Sequence, residues 1–238
     1  RRADYLIDRD GVIMVAGVNN GKATRVPAAM ASTHNGLAVG NRNGNSSKGP
    51  TQVDSVGRSK PDLVAPKNLT SFSTPVVAAV AARLLEAAWN HESADAASRP
   101  ETIKAALMAG AEKPPGWKPH PERPLDPHLG AGSVRFDLSY QILTGPMTTP
   151  GRVQQSHSWS YQTIKPTQTH TYAFDTPQPT GELSVVLTWH RRVNGQITAD
   201  LITNEKQWNH HTRLANLDLQ LIRIDAQGES KRIKISKS

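Results

Sequence analysis

The chain has 238 residues and contains no cysteine, which excludes disulfides, thiolate metal sites and thiol catalysis. Its formal net charge is +8, but the basic residues are spread along the whole length rather than clustered with aromatic residues, so a nucleic-acid partner is not expected. No apolar run reaches the length that a membrane crossing requires, so no membrane span is expected either. A chain of this length holds one large domain or two ordinary ones.

The first part of the sequence alternates helix-like and strand-like segments. Residues 2–10 have the pattern of a charged helix, and a solvated helix face accounts for the three aspartates among them. The apolar run at 11–16 is typical of a buried strand, and a cluster of turn residues at 17–21 ends it. A second strand is predicted at 36–40.

The polar loop that follows, at 41–45, contains three asparagines. Their side-chain oxygens are ligands of the type that Ca²⁺ accepts. An ordinary polar loop is the simpler interpretation, and the sequence leaves both open.

A strand-like run at 62–65 leads through a short polar turn to an Ala-rich helix predicted at 74–89. Ser71 and Ser73 lie just before this helix, where either is expected to act as the N-cap. A serine there also has unpaired backbone N–H groups beside it and the positive end of the helix dipole behind it. That setting stabilises a developing negative charge, so the same serine is suited to be a cap or a nucleophile.

The second part of the sequence changes character near residue 145. One more amphipathic helix is predicted before that point, at 100–108, and residues 146–151 have the composition of a linker. Beyond the linker, short alternating runs separated by turn residues favour an antiparallel β-sandwich over 152–238. The clearest of these strands are predicted at 158–164, 169–174, 183–189, 217–224 and 231–236.

The sequences KPDLVAP (60–66) and TSFSTPVVAAVAA (70–82) resemble the nucleophile segment of subtilisin-like serine proteases. In that family a Lys-Pro-Asp-x-x-Ala-Pro strand leads to Gly-Thr-Ser-x-(Ala or Ser)-Thr-Pro and a buried helix. The resemblance places the nucleophile on Ser71 and puts Leu69 where the family usually has glycine. It implies an α/β fold for residues 1–145, namely the C-terminal portion of a catalytic domain built on a parallel sheet.

Two further segments resemble the same family. AGVNNG (16–21) is similar to the strand end whose asparagine donates its amide to the oxyanion. The resemblance places that role on Asn19, with Val18 where glycine is usual, and Asn20 is the alternative if the match slips by one residue. A plain Asn-Gly turn is the other interpretation. A Gly-Ala-Gly segment at 130–132 resembles the one that precedes the last helix of the catalytic domain, here 136–143.

The resemblance also implies residues that contact the substrate. The segment before Pro27 corresponds to the base of the S1 pocket, which places Arg25 there and Gly17 nearby. A guanidinium in that pocket would favour an acidic P1 side chain.

The general base and its orienting acid are not apparent in this sequence. The family order is Asp, His, Ser, and His34, the only histidine ahead of Ser71, lacks the His-Gly-Thr setting of the family. We therefore expect the chain to be the C-terminal part of a longer, secreted or periplasmic serine endopeptidase that acts on proteins or peptides. By itself it is expected to be inactive. No cofactor is required, although Ca²⁺ serves as a structural ion in such folds.

The later strands resemble a jelly-roll-like β-sandwich appended to many subtilisin-like enzymes, through LSVVLTW (183–189) and NLDL (216–219). The sandwich is expected to be truncated at its C-terminal end. A second class of function stays open. In it the protease-like part is an inactive scaffold, Ser71 is only a cap, and the sandwich is a binding or adhesion module. A strand ending in Asp and a helix opening with His-Gly-Thr, upstream in the gene, would favour the enzyme.

Overall fold

The computed structural model of the chain describes residues 1–51, 59–119, 125–175, 182–199, 206–225 and 227–236. The five α-helices of these residues are α1 (Arg2–Asp10), α2 (Thr70–Trp89), α3 (Ala94–Ala97), α4 (Pro100–Ala109) and α5 (Phe136–Thr144). Their strands are β1 (Val15–Gly17), β2 (Leu37–Asn41), β3 (Gly49–Pro50), β4 (Ser59–Lys60), β5 (Leu63–Ala65), β6 (Val153–Gln154), β7 (Ala173–Phe174), β8 (Arg192–Ala199), β9 (Lys206–Arg213), β10 (Leu219–Ile224) and β11 (Ser230–Ser236). The fold is mixed α/β.

The first three predicted strands form one parallel sheet in the order β1-β2-β5. Val15 is paired with Leu37, and Val39 with Leu63. All residues of β2 and β5 are buried, as expected where helices cover a parallel sheet and its strands are apolar without interruption. The expected parallel sheet is therefore confirmed, whereas its assignment to a subtilisin-like arrangement remains a prediction.

Helix α2 begins four residues earlier than the sequence predicted. The prediction used Pro75 as a marker of the first turn, but Pro75 lies inside the helix. The start at Thr70 is instead fixed by a hydrogen bond from outside the helix, described below. Because Leu69 is the N-cap residue and makes no side-chain cap bond, Ser71 and Ser73 lie within the helix and neither is its cap.

The main core lies between α2, the sheet, α4 and α5, so the predicted helices at 100–108 and 136–143 are confirmed in α4 and α5. Val77, Leu84 and Leu107 are completely buried there. By length and composition alone α2 could cross a membrane, with a mean hydropathy of 1.2. This differs from the sequence expectation, but helices at the core of soluble proteins meet the same test.

Helix α1 was predicted correctly, but the solvated face proposed for its aspartates is wrong for two of them. Asp4 is 1% exposed and accepts a hydrogen bond from the backbone N–H of Asn35 at 2.9 Å. The Asp8 side chain is 12% exposed and is paired with Arg192. Both carboxylates point toward partners that are remote in the sequence, which a helical pattern alone does not reveal.

Beyond residue 145 the described strands form three separate two-stranded sheets. The expected β-sandwich remains a prediction. β8–β9 and β10–β11 are antiparallel, whereas β6–β7 is parallel. The strands predicted at 217–224 and 231–236 are confirmed in β10 and β11, and the one at 169–174 is reduced to the two residues of β7. The β8–β9 hairpin was not predicted.

The strands predicted at 158–164 and 183–189 are wrong, because neither segment joins a strand in the structure. In the second segment the apolar pattern does not correspond to burial, since Leu183, Val185 and Leu187 are all exposed. The segment contacts the protein through Val186, which packs against the main core, and Thr188, whose Oγ1 donates a hydrogen bond to the carbonyl of Glu101 at 2.7 Å.

Candidate active site

Loops that follow the parallel strands meet the first turn of α2. The carboxyl ends of parallel strands lie at one edge of their sheet, which is where α/β proteins usually bind ligands. Asn19 and Asn20 follow β1, Asn41 ends β2, and the turn after β5 leads into Thr70 and Ser71. Three asparagines therefore stand beside the start of one long helix.

Asn20 is bound directly to that helix. Its Oδ1 accepts a hydrogen bond from the backbone N–H of Thr70 at 2.9 Å. Thr70 is the first residue of α2, and its N–H is one of the groups that a helix cannot satisfy internally. The bond therefore caps the helix from a different loop and fixes the orientation of the Asn20 carboxamide.

Asn19 faces a different partner. Its Nδ2 donates to the carbonyl oxygen of Arg25 at 2.8 Å, and its backbone N–H donates to Ser47 Oγ at 3.0 Å. An N–H group can donate only to the oxygen of a carboxamide, and a carbonyl can accept only from its NH₂ group. The two contacts therefore fix opposite orientations, with the NH₂ group engaged in Asn19 and the oxygen engaged in Asn20.

Asn41 is the third member of the group and is fully buried. Its Nδ2 donates to the carbonyls of Asn45, at 3.2 Å, and Asn68, at 3.1 Å, while its Oδ1 accepts from Ser73 Oγ at 3.2 Å. These bonds tie the end of β2 to the loop that follows it, to the turn before α2 and to the first turn of α2. The residue considered as a Ca²⁺ ligand from the sequence thus holds the protein together internally.

Ser71 and Ser73 occupy opposite environments. Ser73 is completely buried, whereas Ser71 is exposed and lines an open cleft of about 650 Å³. No described residue accepts a hydrogen bond from the Ser71 hydroxyl or from its backbone N–H. The other lining residues are Gly17, Val18, Asn19, Asn20, Thr70, Thr74 and Pro75.

Gly17 is required by the close approach of β1 to α2. A Cβ atom at this position would lie 2.8 Å from Thr74 Oγ1 and 3.3 Å from Thr70 Cβ. Glycine therefore lets the floor of the cleft reach the first turn of the helix.

Arg25, the other residue expected to contact substrate, is exposed and does not line the cleft beside Ser71. Only its carbonyl oxygen is tied to the site, through Asn19. Its side chain does not contribute to the described lining of the cleft.

The cleft contains a candidate nucleophile but no acid or base among the described residues that line it. His34 is 3% exposed within the protein and is absent from that lining. The described residues also contain no cluster of three or more Asp, Glu or His side chains suited to a metal ion. What the cleft offers chemically is one exposed hydroxyl, two oriented carboxamides and the N-terminus of a 20-residue helix.

Four residues were selected from the sequence and lie in this cleft in the structure: Gly17, Asn19, Asn20 and Ser71. Thr70 and Thr74, which also line the cleft, were not selected as site residues, and Asn41 was considered only as a Ca²⁺ ligand. Their signal in the sequence is weak: each lies at the end of a strand or the start of a helix, where polar residues are common for many reasons.

No protein-family model matches the chain, and no curated protein matches it.

Proposed function

We propose that the chain carries the nucleophile and the oxyanion site of a subtilisin-like serine endopeptidase. One observation carries this proposal: exposed Ser71 shares a cleft with Asn20, whose carboxamide is bound to the first backbone N–H of the same helix. The motif around Ser71 and the parallel strands behind it support the same proposal.

The reaction would be acyl transfer. Ser71 Oγ attacks the carbonyl carbon of a peptide bond, and negative charge develops on the carbonyl oxygen. The N–H of Ser71, the positive end of the α2 dipole and one asparagine amide stabilise that charge. The tetrahedral intermediate then collapses: the C–N bond breaks, the amine leaves with the proton that the general base took from Ser71 Oγ, and an ester on Ser71 remains. Water hydrolyses this ester, which releases the acid and restores the Ser71 hydroxyl.

We assign the oxyanion amide to Asn20 rather than to Asn19, the residue that the family pattern favours. The oxygen of Asn20 is occupied by Thr70, which leaves its NH₂ group for a substrate. The NH₂ group of Asn19 already donates to the Arg25 carbonyl. A donor that is held in place before the reaction stabilises a transition state better than one that must first exchange partners.

A general base must also take the proton from Ser71 Oγ, and no imidazole or carboxylate lies among the described residues of the cleft. We propose that the base and its orienting acid come from a separate segment of polypeptide. In that case the 238-residue chain hydrolyses no casein at a useful rate. Robust hydrolysis that Ser71→Ala abolishes would place the base within the chain and contradict this part of the proposal.

The nucleophile itself can be tested without turnover, by labelling with a fluorophosphonate followed by peptide mapping. We expect one adduct, on Ser71, that forms more slowly in Asn20→Ala and is absent in Ser71→Ala. Ser156→Ala is the control, since Ser156 is exposed and, among the described residues, its hydroxyl has His157 Nδ1 as its hydrogen-bond partner at 3.3 Å. Equal labelling of several serines, or labelling of Ser73, would overturn the assignment.

The substrate class follows from the resemblance: proteins or peptides, outside the cytoplasm. An acidic P1 preference through Arg25 belongs to the same proposal, and requires the Arg25 side chain to turn toward the cleft when substrate binds. No cofactor takes part in the steps above, and a structural Ca²⁺ stays a proposal.

A second candidate function, as a binding module, is favoured by one observation. A larger cleft, of about 800 Å³, lies between α1 and the β8–β9 hairpin. Its phenol, carboxamide and imidazole groups suit a hydroxyl-rich polymer such as an oligosaccharide. The lining residues are Tyr5, Asp8, Arg9, Val193, Asn194, Gly195, Gln196, Asn209, His210 and His211.

Amide chemical shifts measured during an oligosaccharide titration test this second candidate. Saturable shifts confined to α1, β8 and β9, together with absent labelling of Ser71, would favour the binding module over the protease. Labelling of Ser71 with no saturable shift would favour the protease.

A further inference from the structure

The segment 188–193 joins the C-terminal part of the chain to the α/β part through buried polar contacts. Asn35 is the centre of one set. Its Nδ2 donates to the carbonyls of Asp4, at 3.0 Å, and Arg191, at 2.9 Å, and its Oδ1 accepts from the Arg191 N–H at 2.7 Å. Arg191 Nη1 lies 3.5 Å from Asp4 Oδ2. Helix α1, the loop before β2 and this segment are thereby held as one unit.

His190 lies at the middle of the same junction. Its side chain is 4% exposed, and its Nδ1 is 3.3 Å from Glu101 Oε1 on α4 and 3.7 Å from Asp8 Oδ1 on α1. Its Nε2 is buried, and no described residue provides a hydrogen-bond partner for it. A neutral imidazole can leave Nε2 as an unprotonated acceptor, but an imidazolium must place a second N–H in this partnerless position.

We propose that the junction is a proton-sensitive latch: neutral His190 keeps residues 188–193 seated on α1 and α4, and protonation of His190 releases them. The proposal is independent of the chemistry at Ser71. It requires only that the buried side of His190 accommodate a neutral ring and not a cation.

The charged groups that face His190 act in both directions. Asp8 from α1 and Glu101 from α4 attract an imidazolium, whereas Lys104 from α4 and Arg192 from the segment itself repel it. Burial is the largest effect and lowers the pKa of His190 to about 4. Burial also raises the pKa of Glu101, which weakens that carboxylate as a counter-charge in acid.

The direction of the pH dependence follows. The released segment exposes His190, whose pKa then returns to about 6.5, the ordinary value for histidine. Between that pH and about 4 the released state binds one more proton than the seated state. The equilibrium constant for release should therefore rise by up to about tenfold for each unit of pH lost within this window. Above the window it should not depend on His190.

Hydrogen exchange on the whole chain, corrected for the intrinsic effect of pH, measures the release. The reporter is the Arg191 amide, which donates to Asn35 Oδ1, and the reference is the Val64 amide, which donates to the Gly132 carbonyl in the core at 2.9 Å. We expect the Arg191 amide to open at a lower free energy than the Val64 amide, with protection that falls between pH 6.5 and 4.5 and depends little on low concentrations of urea, because release exposes little surface. Equal opening free energies and equal urea dependence at both amides would indicate global unfolding and overturn the latch.

His190→Gln provides the matched variant, because glutamine is polar and cannot be protonated in this range. Its Arg191 amide should show no step between pH 6.5 and 4.5. His157→Gln, at an exposed histidine, should retain the wild-type step. A step of wild-type size in His190→Gln would rule the proposal out.

If His190→Gln does not fold, the wild-type chain still decides the question. The His190 ring signal can be followed by NMR in ¹³C-labelled protein. Protonation of His190 near pH 6.5 while the Arg191 amide stays protected would contradict the proposal, because the seated state would then accept the cation. Protonation that coincides with loss of Arg191 protection would support it.

Discussion

The side-chain oxygen of Asn20 accepts a hydrogen bond from the backbone N–H of Thr70 at 2.9 Å, across fifty positions of sequence. This one contact joins the loop after β1 to the first turn of α2. It performs the task that a cap residue usually performs, but from another element, and it leaves the amide group of the same side chain oriented beside Ser71. On the proposed mechanism, stability and chemistry at this site would therefore depend on different atoms of one residue.

Asn20→Asp separates the two roles. Aspartate keeps an oxygen for the Thr70 N–H and adds a negative charge at a helix N-terminus, so the free energy of unfolding should be unchanged or slightly higher. It removes the NH₂ donor, so labelling of Ser71 should slow by roughly 100-fold or more, the usual cost of losing one oxyanion donor. Asn20→Ala removes both groups and should also lower stability by about 1 kcal/mol.

Chemical denaturation and fluorophosphonate labelling, measured on the same three proteins, check this. Asn19→Ala is the comparison, since it removes the hydrogen bond to the Arg25 carbonyl and keeps the backbone bond to Ser47. Slower labelling in Asn19→Ala than in Asn20→Asp would contradict the assignment to Asn20 and indicate that Asn19 donates to the oxyanion.

The elements around this site were predictable because they depend on local pattern. Uninterrupted apolar runs identify the buried parallel strands, and the Ala-rich stretch identifies α2. Asn41 shows the limit of such reasoning. The sequence predicts a polar loop at this residue, yet Asn41 is completely buried and is hydrogen-bonded to Asn45, Asn68 and Ser73. Hydrogen-bond partners that only the tertiary fold brings together cannot be predicted from the spacing of residues in the sequence.

The C-terminal part was less predictable for a related reason. The apolar residues at 183–187 suggested a strand with a buried face, but Leu183, Val185 and Leu187 are exposed. The segment instead contacts the protein through Val186 and Thr188, which the pattern did not indicate.

The β8 sequence does alternate, with Val193, Gly195 and Ile197 on one face and Asn194 and Gln196 on the other, so this strand was predictable and was missed. β9 has little signal of period two, because Trp208 is its one large apolar residue.

Gly17 should not tolerate a methyl group. In Gly17→Ala the added Cβ would lie 2.8 Å from Thr74 Oγ1, so strand β1 or the first turn of α2 must shift. We expect a loss of about 1–3 kcal/mol in the free energy of unfolding, the usual range for overpacking. The shift also moves Asn20 relative to Ser71, so labelling should slow in the same variant.

A double-mutant cycle with Thr74→Ala tests the cause. The single change removes the hydroxyl that would collide, at the loss of its hydrogen bond to the Thr70 carbonyl. Gly17→Ala should then cost clearly less in the Thr74→Ala background than alone. Additive effects would mean that the cost of Gly17→Ala does not come from this contact.

Gly195 makes room for an indole ring in the β8–β9 hairpin. A Cβ atom there would lie 2.6 Å from Nε1 of Trp208, whose ring stacks on His210 with centroids 4.3 Å apart. Gly195→Ala should displace the indole toward water, with a red shift in the fluorescence contributed by Trp208. The spectrum of Trp208→Phe, subtracted from each protein, isolates that contribution. An unchanged difference spectrum would show that the strand, rather than the ring, moves.

A buried ion pair lies just before β5. Lys60 is 1% exposed, and its Nζ lies 2.6 Å from Asp62 Oδ2, which also accepts from the Ala38 N–H at 2.7 Å. Asp62→Asn would leave the Lys60 ammonium buried without its counter-charge. We expect a loss of about 3–5 kcal/mol in the free energy of unfolding, as is typical when one partner of a buried pair is removed.

The control is the exposed pair between Arg83 and Glu86 on α2. Glu86→Gln should change stability by no more than about 0.5 kcal/mol, because water screens both charges. Similar losses from Glu86→Gln and Asp62→Asn in urea denaturation would show that burial does not set the strength of these pairs.

The same carboxylate gives a second pH window, separate from that of His190. Burial alone would raise the pKa of Asp62, but Lys104, Lys60 and the Ala38 N–H together hold this pKa below its ordinary value of 3.8. A lowered pKa means that the unfolded chain binds the proton first, so this stabilisation is complete above the ordinary value and is lost as the pH falls below it.

Wild-type stability should therefore decline in two stages, through His190 between about pH 6.5 and 4, and through Asp62 only below that range. His190→Gln should lack the first decline and keep the second, and urea denaturation of both proteins from pH 7 to 3 measures this. A single continuous decline shared by the two proteins would contradict the separation.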